Sequence, residues 1–294
     1  MLLTNKLKNM AANSSATTSW RAKWFQANLQ ETLKNALVCE KICAVDRTDS
    51  KYIWNPYGSA PTTTVQAIAG TYTLSTYTST DDTLTVDDEF VVSEHIFDFE
   101  SVMQHGDIYA SRLDEMVASV ATKIDQYVVN NLVTDGTGTY TTPAGGFTTA
   151  ANVNVIMSNL LGKVAGYADT YKGLYLVIES TDVPGFVQAG AASGFSFADS
   201  WLKNGFMTNY MGVDVYVLRS GTFVSETIGS HAVVGNNHRV FGVKGITTYA
   251  APRGIQYEEK LVTLKTGREV VAWGYIGFAA WHAKLVLTVD ITLA

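Results

Sequence analysis

The sequence predicts a mixed α+β fold, and three features of the chain carry this prediction. A long hairpin of alternating Thr, Val and Tyr residues leads into one long amphipathic helix between Pro61 and Asn131. A block that alternates helices and strands follows, and antiparallel strands close the chain. Two hairpin strands of about a dozen residues would form a ribbon on the order of 40 Å long. Because such a ribbon is not stable alone, it needs another surface to lie on.

Composition favours association of the chain with copies of itself. Of the 294 residues, 47% are hydrophobic and only 16% are charged, whereas a soluble domain typically has about 25% charged residues. A chain of this size with so few charges is expected to hide surface between subunits. The alternative is a monomer whose surface is rich in Thr and Ser.

Charge is unevenly distributed along the chain. Residues 1–51 carry eight Lys or Arg and four acids, whereas residues 52–111 carry nine acids and no Lys or Arg. Complementary patches steer association and fix its register, so we predict contact between the basic arm and the acidic hairpin across subunits. The alternative is that both faces are solvated. The predicted contact residues are Lys6, Lys8, Trp20, Arg21, Lys23, Trp24, Tyr72, Tyr77, Asp81, Asp82, Asp87, Asp88 and Glu89.

The N-terminal region is predicted to be a polar arm followed by an amphipathic helix. The helix is indicated by apolar residues at helical spacing, namely Trp20, Trp24, Leu29, Leu33 and Leu37. Asn55-Pro56 and Gly58 indicate irregular chain between Asp46 and Pro61. Cys39 and Cys43 have no third Cys or nearby His, so they are predicted to be small buried residues and not zinc ligands.

The hairpin is predicted from period-two alternation. One strand covers Thr71–Tyr77, a turn covers Ser79–Asp82, and the second strand includes Leu84 and Val86. Both faces are partly polar, so the register is weakly specified unless another surface holds it. Alternation resumes over Phe90–Phe99.

A long helix follows the hairpin. Its apolar stripe has the 3.6-residue period and consists of Tyr109, Leu113, Met116, Val120, Ile124, Tyr127 and Val128. The opposite, polar side is predicted to carry Asp114, Glu115, Thr122, Asp125 and Gln126. Gly136 is expected to end the helix in the left-handed conformation. At ~1.5 Å per residue this helix is about 40 Å long.

The remaining elements are shorter. The sequence predicts a helix over Asn152–Ala165, a buried strand over Gly173–Ser180 and a short helix near Pro184. Further strands are predicted over Gly212–Ser220, Ala232–Val243, Ile255–Leu264, Glu269–Phe278 and Lys284–Ile291. The last three are expected to be antiparallel and to pack under the long helix.

No motif predicts catalysis, a cofactor or a metal. Gly190 to Gly194 has the wrong spacing for a serine-hydrolase elbow, and Gly136-Thr137-Gly138 lacks the third glycine of a dinucleotide site. No two histidines share the i, i+4 spacing of a zinc hydrolase. The acidic cluster around Asp87 lacks the glycine-centred loop of a calcium site. We therefore predict no catalytic, cofactor or metal site.

Targeting and nucleic-acid signals are weak. No run of about eighteen apolar residues predicts a membrane span, and the opening residues lack the apolar core of a signal peptide, which favours synthesis in a cytoplasm. A net charge of −6 argues against sequence-specific nucleic-acid binding. The basic arm could still lie near DNA without reading its sequence, because phosphate contacts carry no sequence information.

The order of the elements resembles that of the major capsid proteins of tailed bacteriophages, the HK97-like fold. Residues His95–Leu132 look like the strand that leads into the family's spine helix. Phe206–Gly221 is similar to the segment that enters a central strand of the axial domain, and Val270–Thr292 resembles the closing strands.

The resemblance implies a structural protein whose hexamers and pentamers form an icosahedral shell around double-stranded DNA, located in the virion after assembly in the host cytoplasm. Residues 1–60 would be an N-terminal arm and residues 61–97 an extended loop over a neighbouring subunit. Residues 98–146 and 250–294 would form the peripheral domain, and residues 147–249 the axial domain.

The resemblance also implies partners. A separate scaffolding protein and a portal are expected, and a decoration protein is a further candidate. Some family members crosslink a loop Lys to an Asn, but this chain has no Lys between Lys51 and Lys123. Contacts between subunits are therefore expected to be noncovalent or to involve accessory proteins.

Two other functions are compatible with the sequence. An encapsulin-type shell would keep the fold and enclose an enzyme instead of a genome. A polysaccharide-binding or polysaccharide-cleaving β-rich protein could use the six Trp and fifteen Tyr residues. The lack of a secretion signal and of an interpretable carboxylate pair counts against this last alternative.

Overall fold

A computed structural model describes residues 37–48, 50–58, 79–96, 108–166, 173–192, 206–223, 227–228, 231–232, 238–261 and 268–292. The helices are α1 (Cys39–Ile42), α2 (Ile108–Asp135), α3 (Ala150–Val164) and α4 (Val183–Ala192). Short 3-10 helices cover Gly146–Thr148 and Ala283–Leu285. The first eight strands are β1 (Ala44–Asp46), β2 (Tyr52–Gly58), β3 (Ser79–Thr85), β4 (Asp88–Ile96), β5 (Gly138–Thr141), β6 (Leu174–Glu179), β7 (Phe206–Tyr210) and β8 (Val213–Leu218). The others are β9 (Thr227–Ile228), β10 (His231–Ala232), β11 (His238–Val243), β12 (Thr247–Ala250), β13 (Gln256–Leu261), β14 (Arg268–Ala280) and β15 (Val286–Asp290).

A six-stranded mixed sheet has the order β5-β15-β11-β6-β8-β7. Its central strand β6 is buried at all six positions, because an uninterrupted apolar run suits a strand that is covered on both faces. Helix α3 buries Val153, Ile156 and Leu160 in the same core. The predicted α/β block therefore forms, and its helix and buried strand lie close to their predicted bounds.

The second sheet is built around the long strand β14. Strands β13 and β4 flank its first part, and β12 pairs with its last four residues. Strand β1 pairs in parallel with β12. Because β14 is 13 residues long, its first part can pair with β13 and β4 while its last part pairs with β12.

Helix α2 packs against both sheets, since it contacts β4 and β14 on one side and β11 and β15 on the other. The predicted apolar stripe is confirmed at Val120, Ile124 and Val128, which are buried. The predicted polar side is wrong for Asp125 and Gln126, which are also buried. A helix between two sheets is covered on more than one face, and an amphipathic pattern alone does not reveal this.

The long helix ends where it was predicted to end, but for another reason. Gly136 donates its N–H to the carbonyl of Leu132 at 3.0 Å, and it is not one of the residues with positive φ. A Cβ at this position would lie 2.7 Å from the Leu132 oxygen and 3.0 Å from the Val286 oxygen. Glycine is therefore required by close approach of the Leu132 and Val286 carbonyl oxygens and not by a left-handed conformation.

Truncation of Val120 to Ala should destabilise the subunit, because its side chain is buried against the core. We expect a loss of ~2–3 kcal/mol in the free energy of unfolding, from lost apolar burial and a residual cavity. Urea unfolding measures this loss. Ser119→Ala, on the exposed side of the same helical turn, is the control, and an equal effect of both changes would contradict the packing described here.

The hairpin prediction needs correction. Residues predicted as irregular form β2, and the predicted turn over Ser79–Asp82 lies inside β3, which pairs with β2 from Gly58↔Ser79 to Tyr52↔Thr85. The predicted strand over Thr71–Tyr77 lies outside the described residues. Pro56 is tolerated because each strand of a two-stranded ribbon is paired on one side only. Pairing between β2 and β3 therefore decides the conformation of these residues, although their residue types are typical of turns.

The closing strands also differ from the prediction. Strands β13 and β14 pair as expected, but β15 joins the other sheet, where it pairs with β11 and, in parallel, with β5. The chain therefore crosses from one sheet to the other after β14. None of the helices in the described ranges has the length and apolar content needed to cross a membrane.

Candidate functional site

The predicted contact residues fall into two groups. Lys6, Lys8, Trp20, Arg21, Lys23, Trp24, Tyr72 and Tyr77 lie outside the described residues, as does the side chain of Asp81. Asp82, Asp87 and Glu89 are exposed at the hairpin and at the start of β4. Their contact with another subunit stays a prediction, and their exposure makes them accessible for it.

Asp88 differs from these three residues in its exposure. Its side chain is only 8% exposed, and it hydrogen-bonds with the Tyr127 hydroxyl of α2. Burial, followed by the interaction with Asp88, raises the pKa of Tyr127. Alternation along β4 explains the placement, because Asp87 and Glu89 point away from α2 when Asp88 points toward it. Asp88 therefore lies between β4 and α2, and its contact with another subunit stays a prediction.

The base of the β2–β3 hairpin rests on the subunit's own second sheet. Leu84 and Val86 pack with Ala250, and Ile53 and Trp281 close this small cluster. A Cβ at Gly277 would lie 2.6 Å from the carbonyl oxygen of Thr85, so a glycine in β14 lets the hairpin approach. The hairpin is thus fixed to the subunit at its base, and the pair Gly58↔Ser79 is its outermost described pair.

Asp125 holds the start of α1. Its Oδ1 accepts the N–H of Cys39 at 2.9 Å and that of Val38 at 3.1 Å, and its Oδ2 lies 3.2 Å from the Val38 nitrogen. These are N–H groups that a short helix cannot satisfy internally. This carboxylate therefore fixes the first turn of α1 to α2.

The environment of Asp125 makes the subunit sensitive to pH. Burial raises its pKa from 3.8 to about 6, although the N–H groups of Cys39 and Val38 and the charge of Lys41 lower it. The folded chain therefore binds this proton more tightly than the unfolded chain does. The stabilising contribution is complete below about pH 4 and is lost as the pH rises through about 6.

Between these pH values we expect the free energy of unfolding to fall by about 3 kcal/mol, since one pKa unit corresponds to ~1.4 kcal/mol. The comparison is with Asp125→Asn, which keeps an oxygen acceptor for the N–H groups and does not titrate. The free energy of unfolding of the original chain should fall relative to the variant between about pH 4 and pH 7. A constant difference across this range would contradict the raised pKa.

A small cleft lies beside this anchor. It has a volume of about 170 Å³ and is lined by apolar groups that include Leu37, Phe90 and Ile124, with Glu40 and Arg47 among its lining residues. Arg47 Nη2 and Glu40 Oε1 form an ion pair at 2.6 Å. Small-molecule sites are typically ~300–1,000 Å³, so this cleft does not have the dimensions of a usual substrate site.

Among the described residues, the most buried ion pairs link β11 to the end of β6 and to the start of α4. Arg239 Nε lies 2.5 Å from Asp182 Oδ2, and its Nη2 lies 3.3 Å from Glu179 Oε2. Glu179 Oε1 also accepts the N–H of Gly221 at 3.1 Å, and the guanidinium lies 5.3 Å from the centre of the Phe223 ring. These three charged side chains therefore join strands β6 and β11, the start of α4 and the loop after β8.

Sequence reasoning missed both buried polar clusters. Two signals were available in the sequence. Asp182 begins an Asp-Val-Pro segment that is typical of a helix start, and Arg239 lies at the beginning of an apolar strand. Nothing in the sequence indicated that these two residues form an ion pair. Cys39 and Cys43 are free and buried, as predicted. Within the described ranges, no group of three or more His, Cys, Asp or Glu side chains is arranged to hold a metal ion. These clusters fix elements of the subunit relative to one another.

The fold of this chain is similar to that of solved capsid structures. The capsid of the cyanophage P-SCSP1u superposes with a TM-score of 0.61 at 15% sequence identity, over 88% of this chain and 89% of that chain. A structure from Mycobacterium phage Che8 gives 0.61 at 16% identity over 82% and 84%. A virus-like particle from Pyrococcus furiosus gives 0.60 at 9% identity over 92% and 99%.

No protein-family model and no curated protein matches the sequence. The likeness to solved structures extends over most of the chain and of each compared chain. It confirms the HK97-like α+β fold that the order of elements predicted.

Proposed function

We propose that this chain is the major capsid protein of a tailed bacteriophage, which self-assembles as hexamers and pentamers into an icosahedral shell around double-stranded DNA. The observation that supports this function best is the capsid-type fold over 88% of the chain. The low charged fraction of 16% is consistent with surface that is buried between subunits. The chain acts by self-association and has no catalytic role.

In this proposal the regions of the chain have separate tasks. Residues 61–78 extend from the hairpin base over a neighbouring subunit, and the residues before Leu37 form the arm. The sheet built around β14, together with α2, forms the peripheral domain, and the six-stranded sheet that β5 and β15 join forms the axial domain near the capsomer centre. The basic arm contacts DNA through phosphates without sequence specificity. A separate scaffolding protein, a portal and a decoration protein complete the assembly, which takes place in the host cytoplasm.

Sedimentation velocity tests self-association directly. The purified chain, produced alone and together with a scaffolding protein from the same source, is expected to sediment as capsomers and closed particles. Sedimentation as a monomer at every concentration and in both preparations would contradict the proposal.

A second candidate keeps the shell and changes its contents. The chain also shares its fold with a virus-like particle from Pyrococcus furiosus, which favours an encapsulin-type shell as the alternative. Particles purified from the native source distinguish the two functions. Nuclease-resistant DNA inside them supports the genome container, whereas an enclosed enzyme without DNA supports the protein compartment.

A further inference from the structure

The six-stranded sheet has two outer strands, β5 and β7. Strand β5 pairs in parallel with β15, and no other described strand pairs with it. Thr142, the residue after β5, donates its N–H to the Asp290 carbonyl. Because backbone groups alternate in direction along a strand, the N–H and C=O groups of Thr139 and Thr141 point away from β15. We call this row of outward backbone groups the β5 edge.

An edge of this kind can add a strand from another molecule, because outward N–H and C=O groups are a template for further pairing. Copies of one chain carry the same edge, so two copies could join their sheets there. Assembly brings many copies close together, and pairing through this edge would compete with the contacts that close a shell. Natural proteins protect such edges with short strands, with charged side chains such as Lys, and with bulges.

Lys163 of α3 lies at the β5 edge. Its Nζ donates to the Thr139 carbonyl oxygen at 2.7 Å and lies 5.8 Å from the centre of the Tyr140 ring. One helical turn earlier, Asn159 Nδ2 donates to the Tyr140 hydroxyl at 3.1 Å. These contacts hold the end of α3 against β5. The outward carbonyl of Thr139 therefore already has a donor, and a positive charge lies at the edge.

The opposite edge of the sheet is irregular. Strand β7 pairs with β8, and the register shifts between Phe206 and Thr208. An irregularity of this type disrupts the ladder and bends the strand, so a further strand does not meet a regular row of backbone groups. Strand β5 has only four residues, and a short edge strand is itself a poor template. Both edges thus carry features that oppose strand addition, independently of Lys163.

We propose that Lys163 prevents another copy of this chain from adding a strand at the β5 edge. An incoming strand needs the Thr139 carbonyl as an acceptor, so it would have to displace the lysine and desolvate its charge. Lys163 is exposed, and surface contacts of this kind contribute little to stability. Its effect is on the contacts that copies can form. The inference goes beyond the proposed function, since it holds whether a shell encloses DNA or protein.

Lys163→Met tests the proposal, because it keeps the length of the side chain and removes the donor and the charge. The purified variant should form several-fold more β-rich aggregate than the original chain, with an unchanged urea midpoint. Sedimentation velocity and the infrared signal of intermolecular strands measure the aggregate. Lys123→Met, at an exposed lysine of α2, makes the same change in charge and is the control. Equal aggregation of the two variants would overturn the proposal.

Two further variants connect the aggregation to this edge. Lys163→Arg keeps a donor and a charge, so it should aggregate no more than the original chain does. Thr141→Lys, added to Lys163→Met, returns a charge to an exposed position of the β5 edge and should lower the aggregate to the original level. Failure of Thr141→Lys to lower it would refute the assignment to this edge.

Electron microscopy of the same preparations separates the two proposals. Closed shells from the original chain, without extra aggregate from Lys163→Met, would contradict this inference and leave the proposed function intact. Extra aggregate from Lys163→Met, with no shells from the original chain, would support this inference and contradict the proposed function.

Discussion

Removal of residues 59–78 should leave a folded subunit that no longer forms closed shells. These residues lie beyond the last described pair of the hairpin, Gly58↔Ser79, and an Asn-Gly loop can join the two strands there because it suits a two-residue hairpin turn. The buried residues Leu84 and Val86 remain in place. The deletion therefore removes the part of the extended loop that is proposed to lie on a neighbour.

The effect of the deletion on assembly is measured by particle yield, and its effect on folding by circular dichroism and thermal unfolding. A normal melting temperature with loss of closed particles is the expected result. The control replaces Ser158, which is exposed on α3, by Ala, and this variant should assemble normally. Closed particles of normal size from the deletion variant would show that the loop is not needed for assembly.

Replacement of Arg239 by Met should cause the largest loss of stability among single substitutions of described charged residues. The change leaves Glu179 and Asp182 buried without their cation. Breaking a buried pair in this way typically costs ~3–5 kcal/mol, because an uncompensated charge stays in the interior. Urea unfolding of the subunit measures the free energy of unfolding and should show a loss of this size.

Two controls separate charge from packing. Arg219→Met changes an exposed arginine after β8 and should alter stability by no more than ~0.5 kcal/mol. Adding Glu179→Gln and Asp182→Asn to Arg239→Met removes the stranded charges and keeps their oxygen acceptors, so it should recover much of the lost stability. Equal stability of Arg239→Met and the original chain would contradict the role of this cluster.

Long elements with a strong period were predictable from the sequence. Helix α2 was identified because its apolar residues repeat at 3.6-residue spacing over 28 residues. Strands β6, β8 and β14 were predicted because each is an apolar or alternating run of residues that is bounded by turn residues. Strand β2 was missed because Asn55-Pro56 reads as a turn, whereas the pairing with β3 decides its conformation.

Burial of polar groups was not predictable. Asp125 is buried because Val38 and Cys39, 86 or 87 residues away in the chain, supply donors to it. Asp88 is buried because α2 brings Tyr127 to the inner side of β4. In both cases the hydrogen-bond partner comes from a distant element, so the local sequence pattern does not indicate that the carboxylate is buried.

The central claim is that this chain builds a closed shell, and electron microscopy of the purified chain tests it most directly. The chain is expressed with its full sequence, alone and with its scaffolding protein, and imaged in negative stain. The account predicts closed hollow particles or rings of five or six subunits. A uniform field of monomers in both preparations would contradict it.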